Sequence, residues 1–228
     1  NNEHITVTCN KLRLPKGSGG SLAYLAEWSS AVAMAGMRAG ADIGEPLTYK
    51  YIRALGLQFG TSTAPLSTTD LNSLLLNGVS PVERDLTSGA FRIVKCTTCY
   101  IKTQNNALME ESIIQGLGAV TKDLRKGLDT LTGTKATLGQ ISNIEDILKV
   151  ILTQYGPEDE GGNGFLIRSI GDDGNALPPF RDIAVTIGVY PDPSDVARVS
   201  VTVTPVSGIN FILNTIFAVP AQLSSSVI

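Results

Sequence analysis

Residues 91 to 102, FRIVKCTTCYIK, hold Cys96 and Cys99 in a CxxC spacing, the pattern of metal centres and dithiol redox sites. With Cys9 and the single histidine, His4, the chain has four nitrogen or sulfur ligands, the number a tetrahedral zinc ion takes. The alternation of side chains along a strand opposes that use. Phe91, Ile93, Val94 and Tyr100 give the segment strand character, and strand residues three apart point to opposite faces, as do His4 and Cys9. The expectation is a strand carrying buried free cysteines that behave as small hydrophobes, with no metal or other cofactor. Three cysteines are also too few, and odd in number, for a secreted disulfide scaffold, which favours a reducing compartment.

A second candidate is the loop Gly17 to Ser21, within KGSGGS, where backbone N–H groups between a strand and a helix could cradle a phosphate. It lacks the Gly-Lys-Ser/Thr ending of a P-loop, and Leu22 stands where GxGxxG has its third glycine. A turn with Ser21 as helix N-cap accounts for it, and a nucleotide- or phosphate-binding α/β enzyme using this loop is the rival reading. Hydrolase chemistry has little to work with: His4 is the only histidine, and no serine stands in a GxSxG elbow. Asp172-Asp173 and Glu158-Asp159-Glu160 lie in Gly-rich polar stretches without the alternating ligands of a calcium loop. The chain reads as non-enzymatic. Lys122, Arg125 and Lys126 share the polar side of a helix, either as a solvated face or as a contact for an acidic partner.

Composition narrows the partners. A net charge of -3 without a basic run gives no general attraction to nucleic acid or anionic lipid. The first ten residues show no basic region leading into an apolar one, so no export signal is visible. The most apolar helical stretch, residues 21 to 40, carries Glu27 and Arg38 and falls short of a membrane span. It reads as a buried helix whose Gly36 and Gly40 mark close helix packing.

The elements that must position these groups follow from pattern. Residues 4 to 9 read as a strand, 11 to 20 as a loop, and a helix follows Ser21. STTDLNSLLLNG predicts a short helix capped by Ser67 or Thr68 and ended by Gly78. Thr87-Ser88-Gly89 turns a hairpin whose second strand runs long, through the cysteines. Ile113, Leu117, Val120, Leu124, Leu128 and Leu131 recur every three or four positions on one helical face. A further helix is expected from Ser142 or Asn143 to Gly156-Pro157, with Ile144, Leu148, Ile151 and Tyr155 as its stripe. The last third then alternates with period two, at Ile183, Val185, Ile187 and Val189, and at Val199, Val201 and Val203.

After Arg198 no Asp, Glu, Lys or Arg occurs in the remaining 30 residues. Within them INFILNTIFAV has apolar groups on both faces, Ile209, Phe211, Leu213, Phe217 and Val219 on one and Ile212 and Ile216 on the other, with no charge or proline to blunt an edge. This is either a central strand of the chain's own sheet or a strand added to another subunit.

Taken in order, the motifs resemble the later part of a contractile phage tail sheath protein. An Ala/Gly-rich helix (LAEWSSAVAMAGMRAGAD) precedes EPLTYKYI; LNSLLLNGVSPVE follows, then FRIVKCTTCY as a hydrophobic-basic-x-Thr-Thr-x-Tyr strand, then the closing strands of ARVSVTVTPVSGINFILNTIFAV. The resemblance runs from about residue 20 to 219. It implies an α/β to α+β fold, a mixed β-sheet with packed helices and C-terminal antiparallel strands. Residues 1–105 would be the end of a subtilisin-like sheet domain without a protease site, and 106–228 a C-terminal α+β domain with a terminal arm at 209–228. The implied role is structural: a subunit that self-assembles around a tail tube in the virion and contracts to drive the tube through the host envelope, with another tail or baseplate component that closes into a ring as the alternative. Its partners would be other copies of itself, the tube protein, the baseplate and the tail terminator, with assembly in the host cytoplasm and with neither nucleic acid nor membrane insertion. The family's N-terminal part of the sheet domain and its N-terminal arm have no counterpart in these residues.

Overall fold

The structure is a computed structural model, and it describes residues 3–13, 24–100, 106–135, 137–187 and 196–207. The loop from Gly17 to Ser21 and the strand residues Ile209, Phe211, Ile212, Leu213, Ile216, Phe217 and Val219 lie outside the described residues.

The elements are, in order, β1 (Val7–Thr8), β2 (Asn10–Arg13), α1 (Trp28–Ala39), β3 (Tyr51–Ile52), β4 (Gly56–Phe59), α2 (Thr68–Leu76), β5 (Val79–Ser80), β6 (Val82–Arg84), β7 (Phe91–Ile93), α3 (Asn106–Met109), α4 (Glu111–Leu128), α5 (Leu138–Gln154), β8 (Ser169–Ile170), β9 (Ala176–Leu177), β10 (Phe180–Ile187) and β11 (Ala197–Val203). This is a mixed α/β fold. Its sheets are small: β1 pairs parallel with β5, β2 antiparallel with β4, and β7 lies between β3 and β6; β8–β9 and β10–β11 are antiparallel pairs.

Two buried clusters hold these pieces. The first gathers Leu12, Met34, Leu47, Ile52, Val82, Ile93 and Cys96 from the N-terminal elements. The second gathers Val120, Leu152, Tyr155, Phe165 and Leu166, with Ile183, Val201 and Val203 packed against it. The period-two reading of the C-terminal strands holds, since Ile183, Val185 and Ile187 and then Val199, Val201 and Val203 alternate with exposed neighbours. The helical stripe of α4 holds as well, with Ile113 and Val120 buried and Leu117 and Leu124 against the second cluster.

Local chemistry explains the boundaries. Ser67 caps α2 in a capping box: its hydroxyl accepts from the Asp70 N–H at 3.2 Å, and the Asp70 carboxylate accepts from the Ser67 N–H at 3.1 Å. Gly78, at φ +70, ends that helix where a Cβ would lie 2.8 Å from the Thr98 carbonyl oxygen. The β6–β7 hairpin forms as expected, and Asp85 accepts from the N–H groups of Thr87 and Ser88 across its turn.

Several expectations need correction. The strand expected at 4 to 9 is only Val7–Thr8 there; the chain then shifts partner, and Lys11 to Arg13, read as loop, pair with β4. The pivot is Asn10, whose buried side chain accepts from the Val82 N–H at 2.8 Å. α1 begins at Trp28, seven residues beyond Ser21, and no side chain caps it. Nor is it fully buried. Trp28 is 62% exposed and Val32 60%, and a Cβ on Gly36 would meet nothing within 4 Å, so the GxxxG pair packs against no described element. α5 starts after Thr137, which leaves Ser142 and Asn143 inside the helix; Asn143 donates to the Gln140 side chain at 2.7 Å instead of capping.

α4 crosses the second cluster at Gly116, where a Cβ would lie 2.2 Å from the ring of the fully buried Phe165. Gly116→Ala therefore forces the ring to shift and should destabilise the fold by about 1–3 kcal/mol, read as a lower urea midpoint with an unchanged slope. An unchanged midpoint would show that the ring and helix are not in this contact.

Candidate functional site

The segment that prompted a metal reading is not a strand where the cysteines lie. β7 ends at Ile93, and beyond it successive backbone groups bond to different partners instead of one ladder. Thr97 N–H donates to Ser80 Oγ at 2.9 Å, Thr98 N–H to the Met109 carbonyl at 2.9 Å and Cys99 N–H to the Ile5 carbonyl at 2.8 Å. Thr98 Oγ1 also donates to the Leu108 carbonyl at 2.6 Å. This stretch thus ties β1 and β5 to the α3–α4 entry. The hydroxyls of Ser80 and Thr98 serve backbone groups here that no ladder reaches, Ser80 bonding both the N–H and the carbonyl of Thr97.

All three cysteines are free. Cys96 is buried in the first cluster, Cys99 is half-buried with its thiol toward the Gly78 carbonyl, and Cys9 is half-buried beside Asn10. His4 sits at the surface within 3.7 Å of Glu3. Among the described residues no three His, Cys, Asp or Glu groups come together in a way that would hold a metal ion. Burial, with the Glu111 carboxylate nearby, pushes the Cys96 thiol up to about 12, and burial lifts Cys9 to about 11.

What the fold does build is a groove between α1 and α4, with a volume of about 710 Å³. Ala31, Ala35 and Ala39 form one wall, Gly118 and Ala119 the other, and Met34 and Leu47 line its base. These residues are small, so the groove is wide; a Cβ on Gly118 meets nothing within 4 Å. At its base the buried Arg38 forms an ion pair with the half-buried Glu111. Arg38 Nε donates to Glu111 Oε1 at 3.0 Å, Nη2 donates to the other carboxylate oxygen, and Nη1 donates to the Glu45 carbonyl at 2.6 Å. The groove therefore offers apolar surface and an ion pair already satisfied from within. Lys122 stands on its rim, and Arg125 and Lys126, one turn further along α4, are exposed.

The second open feature is the β10–β11 hairpin. Its inner face packs on α5 and the second cluster. Among the described residues each strand pairs only with the other, which leaves both outer edges unpaired. A bulge between Arg181 and Ala184, with Asp182 at φ 56, bends β10. The chain leaves β11 through Val206, whose N–H donates to the Phe165 carbonyl at 2.7 Å, and continues toward the uncharged residues 208–228.

The groove was not legible in the sequence as a site. Its one local signal is the run of small residues Ala31, Ala35 and Ala39 at helical spacing on α1.

No protein-family model matches the sequence, and no curated protein matches it. Solved structures do match. The helical sheath of the anti-feeding prophage in its contracted state superposes with a TM-score of 0.67 at 10% identity, over 95% of this chain and 56% of that one. The sheath tail protein from Listeria innocua gives 0.61 at 16% identity, over 89% and 46%. The one from Desulfitobacterium hafniense gives 0.54 at 14% identity, over 90% and 46%. The chain has the fold of a tail sheath protein. It spans about half the length of the sheath structures it matches.

Within this sheath-like fold, two substitutions probe what surrounds the groove. Arg38→Met leaves the half-buried Glu111 carboxylate without its cation and should cost about 2–3 kcal/mol by urea denaturation, with Arg38→Met plus Glu111→Gln recovering part of the loss. Equal losses in the single and double variants would overturn that account. Because Cys96 holds its proton more tightly folded than at its ordinary value of 9.0, its contribution is full below about pH 9 and is lost as pH rises toward about 12. Wild type should lose stability between pH 8 and 10.5 faster than Cys96→Ala; parallel curves would refute this.

Proposed function

We propose that this chain is part of a structural subunit that self-assembles into a contractile tail sheath, surrounds a tail tube, and contracts to drive that tube through a host envelope. The observation that carries the reading is the fold match over 95% of the chain to a helical sheath in its contracted state. The β10–β11 hairpin supports it from within: among the described residues β10 and β11 pair only with each other, and such a two-stranded pair followed by an uncharged segment suits strands exchanged between copies. Ile209, Phe211, Ile212, Leu213, Ile216, Phe217 and Val219 are the proposed subunit contacts. The proposed division at residues 105/106 draws support from the two separate buried clusters. The subunit is non-enzymatic, and its energy is stored in packing between copies; contraction is a switch between two such packings. The tube, baseplate and terminator are its other partners, and the particle is a phage-type virion assembled in the host cytoplasm.

Purified protein should form rings or helical tubes visible by electron microscopy; a monomer at high concentration would sink the reading. Deleting residues 209–228 should abolish assembly and leave the melting temperature within a few degrees of wild type if these strands act between copies. Loss of folding on deletion would place them inside the chain's own sheet instead.

A further inference from the structure

The groove between α1 and α4 has a chemically matched counterpart on the same molecule. The β8–β9 hairpin presents Ile170, 79% exposed, beside a tip that carries Asp172 and Asp173. The tip is held in shape: Gly171 N–H donates to the Asn175 carbonyl at 2.8 Å, and the Asp173 carboxylate accepts from the Asn175 N–H at 3.1 Å and side-chain amide at 2.7 Å. A preordered tip loses little entropy on docking. The neighbouring acids Asp159 and Glu160 are paired with Arg168, whereas Asp173 is held by the neutral Asn175. The hairpin thus offers an apolar side chain flanked by negative charge, since among the described residues Asp172 and Asp173 form no ion pair with a Lys or Arg.

The groove offers the converse. Ala31, Ala35, Ala39, Gly118 and Ala119 leave open space along its two helices, Glu3, His4, Thr6 and Thr8 line it from the N-terminal segment, and Lys122 at its α4 rim continues into the exposed Arg125 and Lys126 on the same helical face. We propose that the β8–β9 hairpin of one copy seats in the α1–α4 groove of a neighbouring copy, with Ile170 in the groove and Asp172 and Asp173 against Lys122, Arg125 and Lys126. The two surfaces are different patches of one chain, so the contact is head-to-tail, the kind that propagates into rings or helices. This rests on the self-assembly reading and names a surface for it separate from the C-terminal strands.

Charge reversal tests it. Asp172→Lys with Asp173→Lys, and separately Lys122→Glu with Lys126→Glu, should each raise the critical concentration for assembly about tenfold or more in low salt. Both sets in one chain should restore it, because the charges again oppose. Melting temperatures report that each variant is folded, and Gly118→Phe, which fills open space, should block assembly without loss of stability even if a reversal set fails to fold. Wild-type tubes that form equally well from the reversal or Gly118→Phe variants, or single sets that the combination does not rescue, would overturn the contact alone. A wild-type chain that never assembles would overturn the sheath reading and this contact together.

Discussion

The ion pair of Arg38 and Glu111 holds the described parts in register. It joins residues 73 positions apart, the last turn of α1 and the first of α4, and through the Glu45 carbonyl it also fixes the loop that leaves α1. Buried charges are expensive to remove from water, so such a pair survives only with near-ideal geometry and every donor used. Here the guanidinium forks onto both carboxylate oxygens, and its third nitrogen finds a backbone carbonyl. Because α1 belongs to the first buried cluster and α4 to the second, the pair sets the spacing of the two helices and hence the width of the groove between them.

Close packing on either side does the rest. The hydroxyls of Ser80 and Thr98 satisfy backbone groups where β5 and the α3–α4 entry meet, so the chain can pass between elements without a ladder. Gly116 lets the Phe165 ring lie against α4, and Tyr155 meets the same ring edge-on at 6.4 Å while its hydroxyl donates to Asp123 at 2.6 Å. These contacts make rigid bodies. Among the described residues they leave uncovered the exposed stripe of α1 and the groove. Open apolar surfaces of this kind are suited to packing against copies of the chain, which is the physical content of the sheath reading.

Much of this was legible where the signal is local. Hydrophobic periods of 3.6 and 2 marked α4, the stripe of α5 and the C-terminal hairpin, because those elements bury one face and expose the other. Ser67 and Gly78 marked the limits of α2, because capping and left-handed backbone select particular residues. The start of α5 was missed because Ser142 and Asn143 are good caps that also sit on an exposed helical face. The long strand through Cys96 and Cys99 was misread because β-forming residues there serve several backbone partners in turn; their propensity is real but no ladder exists for it.

By itself, then, the sequence determined the kinds of element, the two amphipathic helices, the apolar setting of Cys96 though not of the half-buried Cys9 and Cys99, and an uncharged C-terminal stretch, since each depends on neighbours within a few residues. The order of its motifs also carried the resemblance to tail sheath proteins. Only the tertiary structure decided that Arg38 would meet Glu111, that the glycine pair of α1 would face outward, and that small residues from two helices would enclose a groove. Those outcomes depend on which faces meet across the fold, and no short-range pattern encodes a distance between residues 73 positions apart.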